Sequence, residues 1–174
     1  MKKWKWALCA AFVAAIVAAD RWSKAAVIAA FSAPAAGGIQ TADAPREILA
    51  PLVQFTRVHN FGAAWSSFTG ARWFLAGVSL TAVVVLTGLL IKIVRHPLGF
   101  WSVAAVIGGG IGNLIDRVCY GYVVDMIDLM FMDYPVFNVA DCFVVLGTIG
   151  AAIYYFFFYT KSDALRWEKQ DGTH

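Results

Sequence analysis

An all-α membrane protein, four transmembrane helices carrying a small extracytoplasmic β-type platform, is the fold class this sequence predicts. Three observations predict it. The 174 residues are 60% hydrophobic and only 14% charged, with a mean hydropathy of +0.68. A soluble domain carries roughly 25% charged residues, so this chain cannot clothe itself in a wet surface. The apolar residues gather into four runs, about 6–31, 73–94, 98–115 and 139–160, each near the ~20 residues that a helix needs to cross a bilayer. The intervening segments, about 32–72 and 116–138, hold turn formers, β-branched residues and most of the acids, as surface structure does. Residues 1–174 then form one integral membrane domain. The net charge of +3 is small and dispersed, which argues against a nucleic-acid surface.

The first run follows a basic start, Met1 to Lys5, and resembles a signal peptide as far as Ala19. Apolar character resumes after Lys24 and continues to Phe31, so an uncleaved first helix is the better reading. Asp20 and Lys24, four residues apart, share one face of it and form a structural polar pair. Residues 33–51 are rich in Ala, Gly and Pro and predict a loop, with a short helix near Glu47. Before Asn60 the β-branched and aromatic residues of QFTRVH suggest short strands, and Asn60-Phe61-Gly62 suggests a turn. Trp65 and Phe68 suit a platform at the membrane interface. Gly99, Gly108, Gly109, Gly110 and Gly112 in the third run serve close helix packing rather than phosphate binding, since the spacing of a nucleotide loop is missing. Residues 121–138 predict a surface loop, amphipathic from Met130 to Phe137, and the fourth run ends in an aromatic belt, Tyr154 to Tyr159.

Five of the eleven acidic residues fall in one stretch: Asp116, Asp125, Asp128 and Asp133 lie between the last two apolar runs, and Asp141 stands at the start of the fourth. Carboxylates beside bilayer-spanning segments are costly and are functional candidates by default. The three cysteines, Cys9, Cys119 and Cys142, show no metal-binding spacing; a Cys119–Cys142 disulfide stays open. No metal site is expected.

The motifs GNLIDR (112–117), GYVVD (121–125) and FNVAD (137–141), in that order and at that spacing, resemble the lipoprotein signal peptidases, the type II signal peptidases of bacteria. Asp20-Arg21-Trp22-Ser23-Lys24 resembles a further family element, with Ser for Thr, and the segment from Asn60 resembles another, with Phe61 for Pro and Trp65 for Phe. Residues 32–53 match nothing in the family. The resemblance implies an intramembrane aspartic endopeptidase with Asp125 and Asp141 as its catalytic residues. Asn60, Asn113, Asp116, Arg117 and Asn138 would support the dyad or bind substrate. Asp116 and Arg117 would pair with each other or cap a helix end; Asn138 would cap the fourth helix or orient the dyad. Asp128 is a second candidate for Asp125's place, and Asp133 is a solvated loop acid. The implied substrate is a diacylglyceryl-modified prolipoprotein, cut just before its lipidated cysteine. The implied partners are that substrate and membrane lipid. No cofactor is expected, and the protein is expected to act as a monomer in the bacterial inner membrane.

Two aspartates hydrolyse a peptide by sharing one proton, because like charges so close cannot both ionise. Which of the pair is base and which acid is not readable from the sequence. Three rival readings compete with this one. A Ser66 or Ser67 nucleophile with Lys24 lacks a nucleophile elbow. A metal hydrolase using Asp125, Asp128 and Asp133 lacks the spacing. A small proton-coupled transporter relaying through Asp125 and Asp141 would need carboxylates near mid-span, whereas these fall at helix ends. Charge bias gives the orientation. Lys2, Lys3, Lys5, Lys92, Arg95, Lys161, Arg166 and Lys169, 8 of the 14 basic residues, lie on the side of the termini, which favours cytoplasmic termini and a site near the outer face.

Overall fold

The computed structural model describes residues 3–35, 38–62, 68, 70–94 and 96–159. Among them, four helices are long and apolar enough to cross a membrane: α1 (Lys3–Ala30), α2 (Arg72–Lys92), α3 (Pro97–Cys119) and a fourth, α4 (Val139–Ile153), prolonged by a π-helical turn, Tyr154–Phe158. Three strands, β1 (Arg46–Leu49), β2 (Val53–Asn60) and β3 (Val123–Leu129), form one antiparallel sheet in the order β1-β2-β3. The sheet joins the end of α1 to the start of α2, and the end of α3 to the start of α4. All four of these helix ends therefore meet at one pole of the bundle. Trp22 on α1, Leu146 on α4 and Phe156 beyond it are 76, 66 and 77% exposed, the outward apolar face that hydrocarbon surroundings accept.

α3 is the central helix, with 61% of its spanning window buried, against 17% for each of the others. Its glycines explain how three neighbours reach it. Successive helix residues step round the axis by about 100°. A Cβ on Gly108 would meet Ile16 of α1, one on Gly109 the Ala140 carbonyl of α4, and one on Gly110 Val83 of α2. In lipid, where the hydrophobic effect does not drive helices together, such close backbone approach supplies the packing energy. The backbones come closest at Gly109, where a Cβ would overlap the Ala140 oxygen. Gly109→Ala is therefore expected to push α4 off α3 and cost about 1–3 kcal/mol, measurable as a lowered unfolding midpoint in detergent. An unchanged midpoint would contradict the packing.

Three expectations need correction. The segment near Glu47 is a strand, not a helix; Glu47 pairs with Gln54 across the β1–β2 hairpin. The segment after Gly121 is not a loop throughout, because Val123–Leu129 is a strand paired with β2 from Asn60↔Val123 to Val53↔Leu129. Gly121, at φ 85°, makes the turn into it. The third helix runs on past Ile115 to Cys119, so Asp116 and Arg117 are helical residues. The charged side chains that seemed to end it are engaged inside the bundle. From Met130 to Phe137 the chain is irregular, with Phe137 bridging back to Ile127. α1 is continuous through Asp20 and Lys24. Ser66, Ser67 and Trp65 of the proposed nucleophile and platform lie outside the described residues, as do Lys2, Arg95, Lys161, Arg166 and Lys169. Phe68 is 63% exposed, with its ring 5.6 Å from that of Phe74. Cys9, Cys119 and Cys142 are free thiols, so the disulfide left open does not form.

Candidate active site

At the pole where the helix ends and the sheet meet lies a cavity of about 750 Å³. Its wall includes Asn60 of β2, Asn113 and Arg117 of α3, Asp125 of β3 and Asp141 of α4. The sheet brings these together. Pairing of Val58 with Asp125 lays β2 beside β3, and Asn60, two residues on and on the same face, reaches the carboxylate. Asn60 Nδ2 donates to Asp125 Oδ2 at 3.0 Å.

Asn138 caps the fourth helix, as one of its two readings expected, and its side chain also reaches Asp125. It is the N-cap of α4 in a capping box: its Oδ1 accepts from the Asp141 backbone N–H at 2.9 Å, while Asp141 Oδ2 accepts from the Asn138 N–H at 3.1 Å. Its Nδ2 donates to Asp125 Oδ1 at 2.6 Å and to Asn113 Oδ1 at 3.1 Å. Asn113 Nδ2 completes the set by donating to Asp141 Oδ1 at 2.7 Å. All four carboxylate oxygens of Asp125 and Asp141 thus accept a hydrogen bond, and one fully buried asparagine touches both residues.

Asp125 is 2% exposed. Burial, then the negative charge of Asp141, push its carboxyl up to about 7, against the pull of Asn60, Asn138 and Lys24. A raised acid binds its proton preferentially in the folded state. Its contribution to stability is present at low pH and falls as pH rises from 3.8, the ordinary value, to about 7. The unfolding midpoint of the wild type should decline across that window, and Asp125→Asn should flatten the decline. Equal slopes in the two proteins would contradict the shift.

Behind this layer, Asp20 and Lys24 do pair, at 3.0 Å, but within a larger buried cluster. Lys24 Nζ also reaches Asp116 Oδ2 at 2.7 Å, and Arg21 bridges Asp116 and Asp20. Asp20 Oδ1 accepts from the Ala140 N–H at 3.2 Å, so α1 helps to cap α4. Asp116 Oδ2 accepts from the Val124 N–H at 3.2 Å, tying β3 to α3. Of the alternatives for Asp116 and Arg117, direct pairing does not form: Asp116 pairs with Lys24 and Arg21. Arg117 instead donates from Nη2 to the Gly62 carbonyl at 3.3 Å, at the wall of the same cavity.

Sequence reasoning missed four side chains. Arg21 completes the buried cluster. Arg57 donates from Nη1 to the Phe31 carbonyl at 3.0 Å, capping the end of α1, and from Nε to His59 Nε2 at 3.2 Å. His59 stacks on Tyr122 with ring centroids 3.9 Å apart, and burial with the Arg57 charge lowers it to about 4, so it is neutral. Arg72 donates from Nε to the Arg117 carbonyl at 2.7 Å, holding the end of α3. Of these only Arg72, at the start of an apolar run, carried a local signal. Asp128, the rival dyad member, accepts from Gln54 Nε2 at 2.7 Å at the cavity rim, and Asp133 is an exposed part of the wall. Asp141 stands in the first turn of α4 and Asp125 on a strand outside the helices, so neither carboxylate is at mid-span as a transporter relay requires.

Fold and site together define a polytopic membrane protein with paired carboxylates in one cavity. Comparison with known proteins gives the family. The model of signal peptidase (SPase) II matches residues 12–158. Curated lipoprotein signal peptidases align over most of the chain. That of Clostridium acetobutylicum is 41% identical over 132 residues, 72% of this chain and 79% of the relative. That of Lactiplantibacillus plantarum is 36% identical over 135 residues, 78% and 85% of the two chains. That of Enterococcus faecalis is 36% identical over 144 residues, 81% and 83%. A bacterial membrane enzyme solved by the in meso method at 2.3 Å superposes with a TM-score of 0.76 at 23% identity, over 97% of this chain and 93% of that one. A second, solved at 1.9 Å, gives 0.74 at 26% identity, over 88% and 95%. The chain belongs to the signal peptidase II family, the lipoprotein signal peptidases, and is a protease.

Proposed function

We propose that Asp125 and Asp141 are the catalytic pair of this protease, and that it removes the signal peptide from diacylglyceryl-modified prolipoproteins by direct attack of water. The observation that carries this reading is the position of Asn138, whose backbone and side chain engage both carboxylates at once. Two carboxylates sharing one proton divide the work of hydrolysis. The ionised member takes a proton from water as it attacks the scissile carbonyl. The protonated member donates a hydrogen bond to the carbonyl oxygen and then gives its proton to the leaving amine. Asn60, Asn113 and Asn138 hold the carboxylates at fixed angles, so that little rearrangement accompanies the reaction. Arg117 supplies positive charge at the cavity wall.

Activity requires one proton in the pair. Cleavage should therefore fall as pH rises past about 7, where Asp125 loses its share. The test is the pH profile of cleavage of a lipidated prolipoprotein by the purified protein. A rate still rising well above that pH contradicts a shared proton.

The chain sits in the bacterial inner membrane with both termini in the cytoplasm and the cavity near the outer face. The supports are the basic residues on the side of the termini and the placement of every site residue at the opposite pole. The lipid-bearing substrate reaches the cavity from the bilayer, and one chain carries the complete site.

A further inference from the structure

The buried cluster behind the carboxylates does more than hold helices together, on the reading that Asp125 and Asp141 are the catalytic pair. The Lys24 ammonium has three N–H donors and no acceptor. All three are engaged: by Asp20 Oδ2, by Asp116 Oδ2 and by Asn113 Oδ1 at 3.1 Å. The first two contacts compensate a charge that is 1% exposed. The third has a different consequence. Because Lys24 can only donate, Asn113 must turn its oxygen toward Lys24, and its Nδ2 must face Asp141. Asn138 Nδ2, donating to the same oxygen, closes the orientation. Asn138 is itself locked, since its oxygen accepts from the Asp141 N–H.

Asp20 and Asp116 balance Arg21 and Lys24 in formal charge, so beside the direct pull of Lys24 on Asp125 the cluster acts on Asp141 through the directed hydrogen bond. Asp141 receives that bond while standing in the first turn of α4, where the helix dipole favours a negative charge. Asp125 stands on a strand; each carboxylate takes two neutral N–H donors, so what sets Asp141 apart is its helix terminus and the Lys24 bond to its donor Asn113. The charged groups around the pair from α1 are Asp20, Arg21 and Lys24, and from α3 Asp116 and Arg117. β3 and the loop after it add Asp128 and Asp133 at the rim, β2 adds neutral His59, and α4 adds the Cys142 thiol.

We propose that Lys24 is a positioning residue of the reaction: through Asn113 it holds Asp141 as the ionised base and leaves the shared proton on Asp125, the acid. Asp20 and Asp116 hold Lys24 in place for this task.

The test is the pH profile of kcat/KM for wild type, Lys24→Met, Asn113→Ala and the double variant, with folding checked by thermal unfolding in the same detergent. In Lys24→Met the acid limb, which reports the base, should move to higher pH by about one unit. Asn113→Ala should move the same limb. The double variant should move it no further than Asn113→Ala alone, because Lys24 acts through Asn113. If Lys24→Met fails to fold, the charge-balanced Asp20→Asn/Lys24→Met pair carries the same expectation. A folded Lys24 variant that loses activity equally at every pH, with both limbs in place, would overturn the proposal and leave Lys24 a purely structural residue. So would a shift that adds to that of Asn113→Ala. Retained activity in Asp125→Asn or Asp141→Asn is a separate result; it would remove the catalytic pair itself.

Discussion

Replacing either Asp125 or Asp141 by asparagine should lower cleavage of a lipidated prolipoprotein by roughly 10³-fold or more while the protein stays folded. Each substitution keeps the shape of the side chain but takes away half of a two-carboxylate device. In Asp125→Asn the new amide still accepts through one oxygen but can neither give nor hold the shared proton. In Asp141→Asn the amide cannot take a proton from water. Folding should survive, because both positions line a cavity, where the new amide loses one or two hydrogen bonds but no core packing. Asp128→Asn is the matched control. Asp128 is at the rim, bonded to Gln54 rather than to the asparagines that join the pair. Its loss should change the rate only a few-fold. Initial rates of purified proteins at equal folded concentration decide the matter. A fall confined to Asp128→Asn would move the catalytic role to that residue.

The largest stability effect is expected at Asp116. It is fully buried, faces Lys24 and Arg21, and anchors the Val124 N–H. Asp116→Ala removes the main counter-charge of Lys24, which is itself 1% exposed. Asp20 would be left to balance two cations. Removing one partner of a buried ion pair costs about 3–5 kcal/mol, because the remaining charge stays desolvated. Here β3, which carries Asp125, also loses its tie to α3. The variant should unfold at markedly lower temperature or denaturant in detergent, and lose activity with its folded fraction. A loss below about 1 kcal/mol would show that the cluster is hydrated in solution rather than a dry network of buried charges.

Much of this molecule is legible in its sequence because the membrane writes in long runs. Four apolar stretches became four helices, and small residues at 108–112 announced a helix that neighbours approach closely. The carboxylates were legible because Asp125 and Asp141 each close a motif and because acids between spans are otherwise unaffordable. What was not legible depends on partners distant in sequence. β3 is seven residues with two acids, low in strand propensity, and it is a strand because β2, some 65 residues earlier, pairs with it. Glu47 belongs to a hairpin whose pairing overrides a local helical preference. α3 passes Ile115 because Asp116 finds Lys24 and Arg21 inside the bundle, a pairing between two helices that no local window contains. Arg21 looked like an ordinary neighbour of Asp20 for the same reason. The cap made by Asn138 was legible, and the structure adds that its cap partner, Asp141, is one of the two carboxylates of the cavity.

The central claim is that water, activated by two carboxylates, cuts the peptide with no covalent enzyme intermediate. The most direct test is to let the purified protein cleave a diacylglyceryl-modified prolipoprotein in the presence of hydroxylamine and to weigh the released signal peptide by mass spectrometry. A free carboxylate at its new C-terminus, next to a product that begins with the lipidated cysteine, is the predicted result. A hydroxamate at that terminus would reveal an acyl-enzyme, return Ser66 or Ser67 with Lys24 as the nucleophilic pair, and contradict the account.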